Sequence, residues 1–138
     1  MFKDCYNLKK IYGLEDLNVK KLIDVEDMFW GCKSLKSLDF RKWRMKESLE
    51  YIGCMFYKCE SLETIQGLNN FDISWCEDTS YTFYKCKNLD NLDISSWDFS
   101  NVEGITSMFF GCDKLKNIKI QLSKEILERL NAFVDIVI

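Results

Sequence analysis

Met28-Phe29-Trp30-Gly31-Cys32-Lys33-Ser34-Leu35-Lys36-Ser37-Leu38-Asp39 is the stretch from which the rest of the chain can be read. Its frame is an aromatic, two residues, a cysteine, two residues and a leucine. The frame returns as Phe2/Cys5/Leu8, Phe29/Cys32/Leu35, Phe56/Cys59/Leu62, Phe83/Cys86/Leu89 and Phe109/Cys112/Leu115. The step from one phenylalanine to the next is the same three times and one position shorter at the last. A fixed period of about 26–27 residues marks stacked units, none of which can bury its apolar face alone.

Each copy continues in step beyond its leucine. Three residues on stands Ile11, Leu38, Ile65, Leu92 or Ile118, then Leu14, Phe40, Leu68, Ile94 or Ile120. Leu17, Trp43, Phe71 and Trp97 follow, then Val19, Met45, Ile73 and Phe99. Leu22, Leu49, Cys76 and Val102 come next, and Val25, Ile52, Thr79 and Ile105 complete the unit. Copies one and three carry an extra glycine, Gly13 and Gly67, that copies two and four lack. Copy two instead gains a residue between Met45 and Leu49. The underlying unit is therefore the shorter of the two lengths, extended by single insertions. Glycine suits an insertion because it tolerates positive φ and bulged backbone.

Leu35-x-x-Leu38-x-Phe40 ends in a period of two, which predicts a short strand, while Met28, Phe29, Cys32 and Leu35 fit a short helix or tight turn leading into it. One strand per copy, all running the same way, predicts a parallel sheet with neighbours about 4.8 Å apart. Asp-Ile-Ser at 72–74 and 93–95 and Ser100-Asn101 supply turn chemistry. The expected architecture is an α/β repeat solenoid forming one domain over residues 1–138, with repeats starting near 1, 28, 55, 82 and 108. The end of the chain breaks the pattern. Ser123 is placed to cap a helix, with Glu125 in its first turn and Leu122, Ile126, Leu127, Leu130 and Phe133 on one face. A C-terminal cap over 121–138 is expected, ending in an apolar run at 134–138 that packs on something. No comparable cap precedes repeat one, so self-association or burial against a partner is expected at that end.

The phrase Met-Phe-x-Gly-Cys-x-x-Leu-x-x-Leu-Asp at 28–39, and Leu92-Asp93-Ile94-Ser95-Ser96-Trp97-Asp98-Phe99-Ser100-Asn101-Val102, resemble the BspA-type leucine-rich repeats. The likeness runs from residue 1 to about 120. It implies a curved right-handed solenoid of leucine-rich-repeat type, used in adhesion and protein recognition and without a catalytic centre of its own. Many members of that family are secreted or anchored at the surface. This chain opens inside a repeat, with no basic-apolar-small signal pattern and no run of about eighteen apolar residues. Two origins fit: an internal piece of a larger surface protein, or a free-standing intracellular protein on the same scaffold. The expected location is cytoplasmic, or the cell surface in the former case.

Composition narrows the chemistry. Of 138 residues, 47% are hydrophobic and 14% aromatic, ample for one core. The seven cysteines are odd in number, form no Cys-x-x-Cys pair, and fall five times on one repeat position. Adjacent ladder cysteines would lie near disulfide reach, but a periodic residue answers a periodic packing need, so buried reduced thiols are expected, with neither disulfide nor metal. A reducing compartment suits them. The chain has no histidine, which removes Ser-His, Cys-His and His-metal constellations, and no glycine-rich phosphate loop is present. No enzyme and no cofactor are expected. A net charge of −3 argues against non-specific nucleic-acid binding and against a polybasic membrane surface. Lys33, Lys36, Arg41, Lys42, Arg44 and Lys46 crowd repeat two, while Asp72, Glu77, Asp78, Asp90, Asp93, Asp98 and Glu103 mark residues 72–107.

The candidate surface comes from the residue after each frame phenylalanine: Lys3, Trp30, Tyr57, Tyr84 and Phe110. Four consecutive aromatics there read either as a contact row or as a rim that packs on itself. Asp39 and Asp93 recur at one outward strand position and join Trp30, Tyr57, Tyr84 and Phe110 as candidate partner-binding residues. The functional expectation is a non-enzymatic module that recognises a protein. A small inhibitor docking on a nucleic-acid-handling enzyme, as in anti-defence proteins of mobile elements, and a fragment of a surface adhesin are the alternatives.

Overall fold

The computed structural model describes residues 1–131. Within each repeat the frame sets the backbone. The Cys32 amide donates to the Phe29 carbonyl at 3.1 Å and the Leu35 amide to the Cys32 carbonyl at 3.2 Å; the same two bonds recur through Phe56/Cys59/Leu62 and Phe83/Cys86/Leu89. The segment is a train of tight turns and not a helix. Left-handed residues explain this: Asp27 and Gly31 have φ of 56° and 72°, Cys54 and Lys58 both 57°, Tyr81 and Lys85 59° and 57°. Two such residues four apart break any right-handed run.

The amides left over point along the stack. Phe29 donates to the Met55 carbonyl at 2.9 Å and Gly31 to that of Tyr57 at 2.8 Å; one repeat later Phe56 donates to Thr82 at 2.9 Å and Lys58 to Tyr84 at 2.7 Å. Each turn thus hangs on the next through paired backbone bonds, and equivalent side chains lie one above another. Phe2, Phe29, Phe56, Phe83 and Phe109 form a continuous face-to-face column with ring centroids 5.5, 5.8, 5.4 and 5.6 Å apart. Such pairs contribute roughly 0.5–1.5 kcal/mol each beyond burial. Phe40, Trp43 and Phe71 pack beside this column, Phe40 lying 4.6 Å from Trp43 and 5.2 Å from Phe71. The leucines of the frame at 35, 62 and 89 are fully buried.

The strands depart from the expected one per repeat. Four are present among the described residues: β1 (Ser37–Asp39), β2 (Thr64–Gln66), β3 (Asn91–Ile94) and β4 (Asn117–Ile120). They form two separate parallel pairs, β1 with β2 through Leu38↔Ile65, and β3 with β4 through Leu92↔Ile118. Repeat one has no strand, and no ladder joins β2 to β3. The inserted glycines account for both departures. Gly13 and Gly67, with φ of 76° and 83°, turn the chain into short 3₁₀ helices at Leu14–Asp16 and Leu68–Asn70. This makes the two sides of an odd-numbered repeat unequal. Towards the preceding repeat, Gly67 packs on the backbone of Phe40 and Arg41, and strand pairing persists. Towards the following repeat, the 3₁₀ helix offers its first carbonyl to a tryptophan: Trp43 Nε1 donates to Leu14 at 2.8 Å and Trp97 Nε1 to Leu68 at 2.9 Å. Indole bonds therefore stand where the ladder is missing, and the repeats alternate in pairs.

Helix α1 (Lys124–Asn131) follows the last strand. Ser123 begins it as the spacing predicts: its hydroxyl accepts the Ile126 amide at 3.2 Å and its carbonyl that of Leu127 at 3.0 Å. Ile126 is buried against the core. Phe133 and the apolar run 134–138 fall outside the described residues, as do the side chains of Leu130 and Asn131.

Candidate functional site: an aromatic ladder flanked by lysines

The turn geometry that stacks the phenylalanines also positions the residue that follows each of them. Its amide closes a turn, as in Trp30 to the Asp27 carbonyl at 3.0 Å and Tyr84 to that of Tyr81 at 3.1 Å. Its carbonyl accepts from the repeat before, as Tyr84 does from Lys58 and Phe110 from Lys85, both at 2.7 Å. With the backbone tied at both ends, the side chains have little choice of direction. Trp30 and Tyr57 stack at 3.9 Å, Tyr57 and Tyr84 at 4.7 Å, and Tyr84 and Phe110 at 5.3 Å, with interplanar angles of 18°, 9° and 16°. Tyr81 closes on the row edge-on, 5.7 Å from Tyr84. The rings form a self-stacked row, each face to face with its neighbour. Trp30, Tyr57 and Tyr84 are half-buried, and Phe110 at the end of the row is 48% exposed. Tyr57 and Tyr84 are stacked on both faces, so what these two rings present to solvent is edge.

Lysines flank the rings. Lys3 lies 4.7 Å from the Trp30 ring, Lys58 5.2 Å from Tyr57 and Lys85 5.3 Å from Tyr84. A cation over an aromatic face is attracted by the ring's quadrupole, a geometry open to Lys3 at Trp30, whereas Tyr57 and Tyr84 are stacked on both faces. Lys3 is also paired with Asp27 at 2.7 Å, and the hydrogen bond to that carboxylate raises its pKa. Lys58 and Lys85 make no ion pair among the described residues. Burial, followed by its neighbour Tyr84, pushes the Tyr57 phenol up, so this ring carries its proton at neutral pH. Tyr-Lys-Cys recurs at 57–59 and 84–86, so this lysine was visible in the sequence and passed over there.

Asp39 and Asp93 do not join the row. They sit on β1 and β3, in different sheets. Arg41 grips Asp39 through Nε at 3.0 and 3.1 Å and Nη2 at 2.7 Å, and these bonds hold its carboxyl below the usual range. Asp93 accepts the Ser95 hydroxyl at 2.7 Å and is lowered in the same way. Both carboxylates serve local turns first. Asp72, Asp78 and Asp98 do the same, each accepting the amide two residues on.

The periodic cysteines have a role that periodicity alone could not specify. Cys32 Sγ donates to the Phe2 carbonyl at 3.0 Å, Cys59 to Phe29 at 3.1 Å, Cys86 to Phe56 at 3.2 Å and Cys112 to Phe83 at 3.0 Å. Each thiol thus bonds the carbonyl of the preceding repeat's phenylalanine, and all seven cysteines are free. Desolvation pushes Cys32 up to about 11 and Cys112 to about 12, and raises Cys59 and Cys86 as well. These are protonated donors and poor nucleophiles.

No group of three or more potential metal ligands gathers among the described residues. An open cleft of about 920 Å³ between α1 and repeats three and four is lined by Trp75, Asp98, Asn101, Glu103 and Arg129 among others. The Arg129 guanidinium is engaged by the Val102 and Glu103 carbonyls, and Asp98 by Ser100. No described helix is long and apolar enough to cross a membrane.

A family model described as "Mycoplasma protein of unknown function, DUF285" matches residues 1–123. The match covers all five repeats and ends one residue before α1. No curated protein and no solved structure matches the chain.

Proposed function

We propose that this chain, which belongs to the family described as "Mycoplasma protein of unknown function, DUF285", is a non-enzymatic protein-recognition module whose contact surface is the aromatic ladder Trp30-Tyr57-Tyr84-Phe110. In this reading the coils wind as a right-handed solenoid of leucine-rich-repeat type, close to the BspA-like repeats. The single observation that carries it is the row itself: four aromatic residues at one repeat position, pre-stacked, partly exposed and held by backbone bonds at every step. Aromatic side chains already fixed in place lose little entropy on binding and are enriched where binding energy concentrates. A reducing compartment suits the reading, since oxidation of Cys32, Cys59 or Cys86 would remove a donor on which repeat stacking relies.

Affinity capture from the native host, read by mass spectrometry, tests it. The wild type is compared with Phe110→Asp and with Trp75→Asp, which alters an indole 76% exposed outside the ladder. A protein retained by the wild type and by Trp75→Asp but lost with Phe110→Asp is the expected result. Equal capture by all three overturns the assignment of the ladder.

A further inference from the structure

We propose that the occupant of the ladder is an acidic, extended segment of the partner protein, an inference that rests on the ladder being the contact surface. The argument is one of donors and charge. Stacking leaves the edges of Tyr57 and Tyr84 outward, and an aromatic edge is the positive part of the ring's quadrupole. Trp30 Nε1 makes no hydrogen bond among the described residues, whereas the indoles of Trp43 and Trp97 both donate to carbonyls. The Tyr57 and Tyr84 hydroxyls are likewise without a partner there, and the Lys58 and Lys85 ammonium groups lie beside those same two rings. The row therefore offers an indole N–H, two phenol O–H groups and two cations within two steps of 3.9 and 4.7 Å. No carboxylate forms an ion pair with either cation among the described residues. A surface made of donors is complemented by acceptors, and carboxylates with backbone carbonyls on an extended chain supply both kinds.

Nucleic acid offers acceptors too, but the ladder is a poor match. Bases are held on proteins by stacking on open aromatic faces, and here the faces of Tyr57 and Tyr84 are covered by their neighbours.

The test is fluorescence anisotropy at low salt with labelled deca-glutamate, deca-lysine and deca-thymidylate as probes. The wild type should bind deca-glutamate, more weakly as salt rises, and not deca-lysine. Lys58→Glu with Lys85→Glu should weaken binding by about tenfold or more, and Lys20→Glu with Lys21→Glu, the same charge change on exposed residues outside the row, by less than about threefold. If the first pair melts early, Lys58→Gln with Lys85→Gln takes its place and should still lower affinity several-fold. Absence of binding, equal loss in the two pairs, or deca-thymidylate binding as tightly with the same dependence on Lys58 and Lys85 would overturn the proposal. Its failure is separable from that of the ladder. Partner capture lost with Phe110→Asp but kept with the Lys58/Lys85 pair leaves the ladder standing and removes the acidic occupant.

Discussion

At the scale of single residues, the most informative atoms are the sulfurs. A cysteine recurring once in every repeat invites thoughts of disulfides or metal, yet each buried thiol on the ladder serves as a donor to the carbonyl of the preceding repeat. Cys59→Ala should therefore cost about 1–2 kcal/mol, because the Phe29 carbonyl loses a donor and a small void opens. Cys5 is exposed and its thiol makes no such bond among the described residues, so Cys5→Ala should change stability by less than about 0.5 kcal/mol. Urea denaturation of the two variants checks the contrast. A thiol-labelling reagent should modify Cys5 first and reach Cys59 and Cys86 only on unfolding. The periodicity of these cysteines was legible in the sequence, and so was the burial of Cys32, Cys59 and Cys86, but the expectation of burial fails at Cys5, which is exposed, and holds only in part at Cys112. The bonds of these thiols were not legible, because each donor and its acceptor belong to different repeats and meet only when the repeats stack.

At the scale of elements, the inserted glycines matter most. Gly13 and Gly67 begin equivalent 3₁₀ helices with nearly the same φ, but their surroundings differ. A Cβ at Gly13 would meet nothing within 4 Å, whereas one at Gly67 would run into the Phe40 carbonyl carbon and the Arg41 amide. Gly13→Ala should thus cost only the strain of a left-handed alanine, about 1 kcal/mol, and Gly67→Ala roughly 1–3 kcal/mol more through overpacking. Equal denaturation midpoints would refute the pairing of repeats two and three through this contact. The same insertions show where strand reading stops. The apolar position that β1 fills with Leu38 is also apolar at Ile11 and Leu92, yet repeat one forms no strand and β2 and β3 do not pair. A strand is stable only with a partner in register, and a glycine inserted in every other repeat grants that partner at every second junction. The tandem indole bonds of Trp43 and Trp97, two repeats apart, are the compensating joint.

At the scale of the whole molecule, stability is the sum of such joints, and two measurements address it. Leu62 and Leu89 are fully buried at the centre of the stack, so either one changed to Ala should cost about 2–5 kcal/mol; a loss under about 0.5 kcal/mol would mean that the repeats are not stacked in this register. The thiols set a limit at high pH. Desolvation raises Cys32 and Cys54 to about 11 and Cys112 to about 12 from an ordinary value of 9.0, with Cys59, Cys76 and Cys86 also raised. Above about pH 9 the unfolded chain sheds thiol protons that the folded chain keeps, so the unfolded state binds fewer protons and stability falls as pH rises. The denaturation midpoint should be level from about pH 7 to 8 and drop steadily beyond 9, faster than in a protein without buried cysteine. The sequence by itself determined the unit, its length and most of the side chains that face inward, because a position buried in successive repeats is mostly apolar; the departures are Thr79 and Thr82, buried although polar, and Leu17, exposed although apolar. Only the tertiary structure decided which junctions carry strands, where the thiols bond, and that Tyr57 and Tyr84 turn their edges outward. Those outcomes depend on distances between residues a full repeat apart, and local pattern carries no record of such distances.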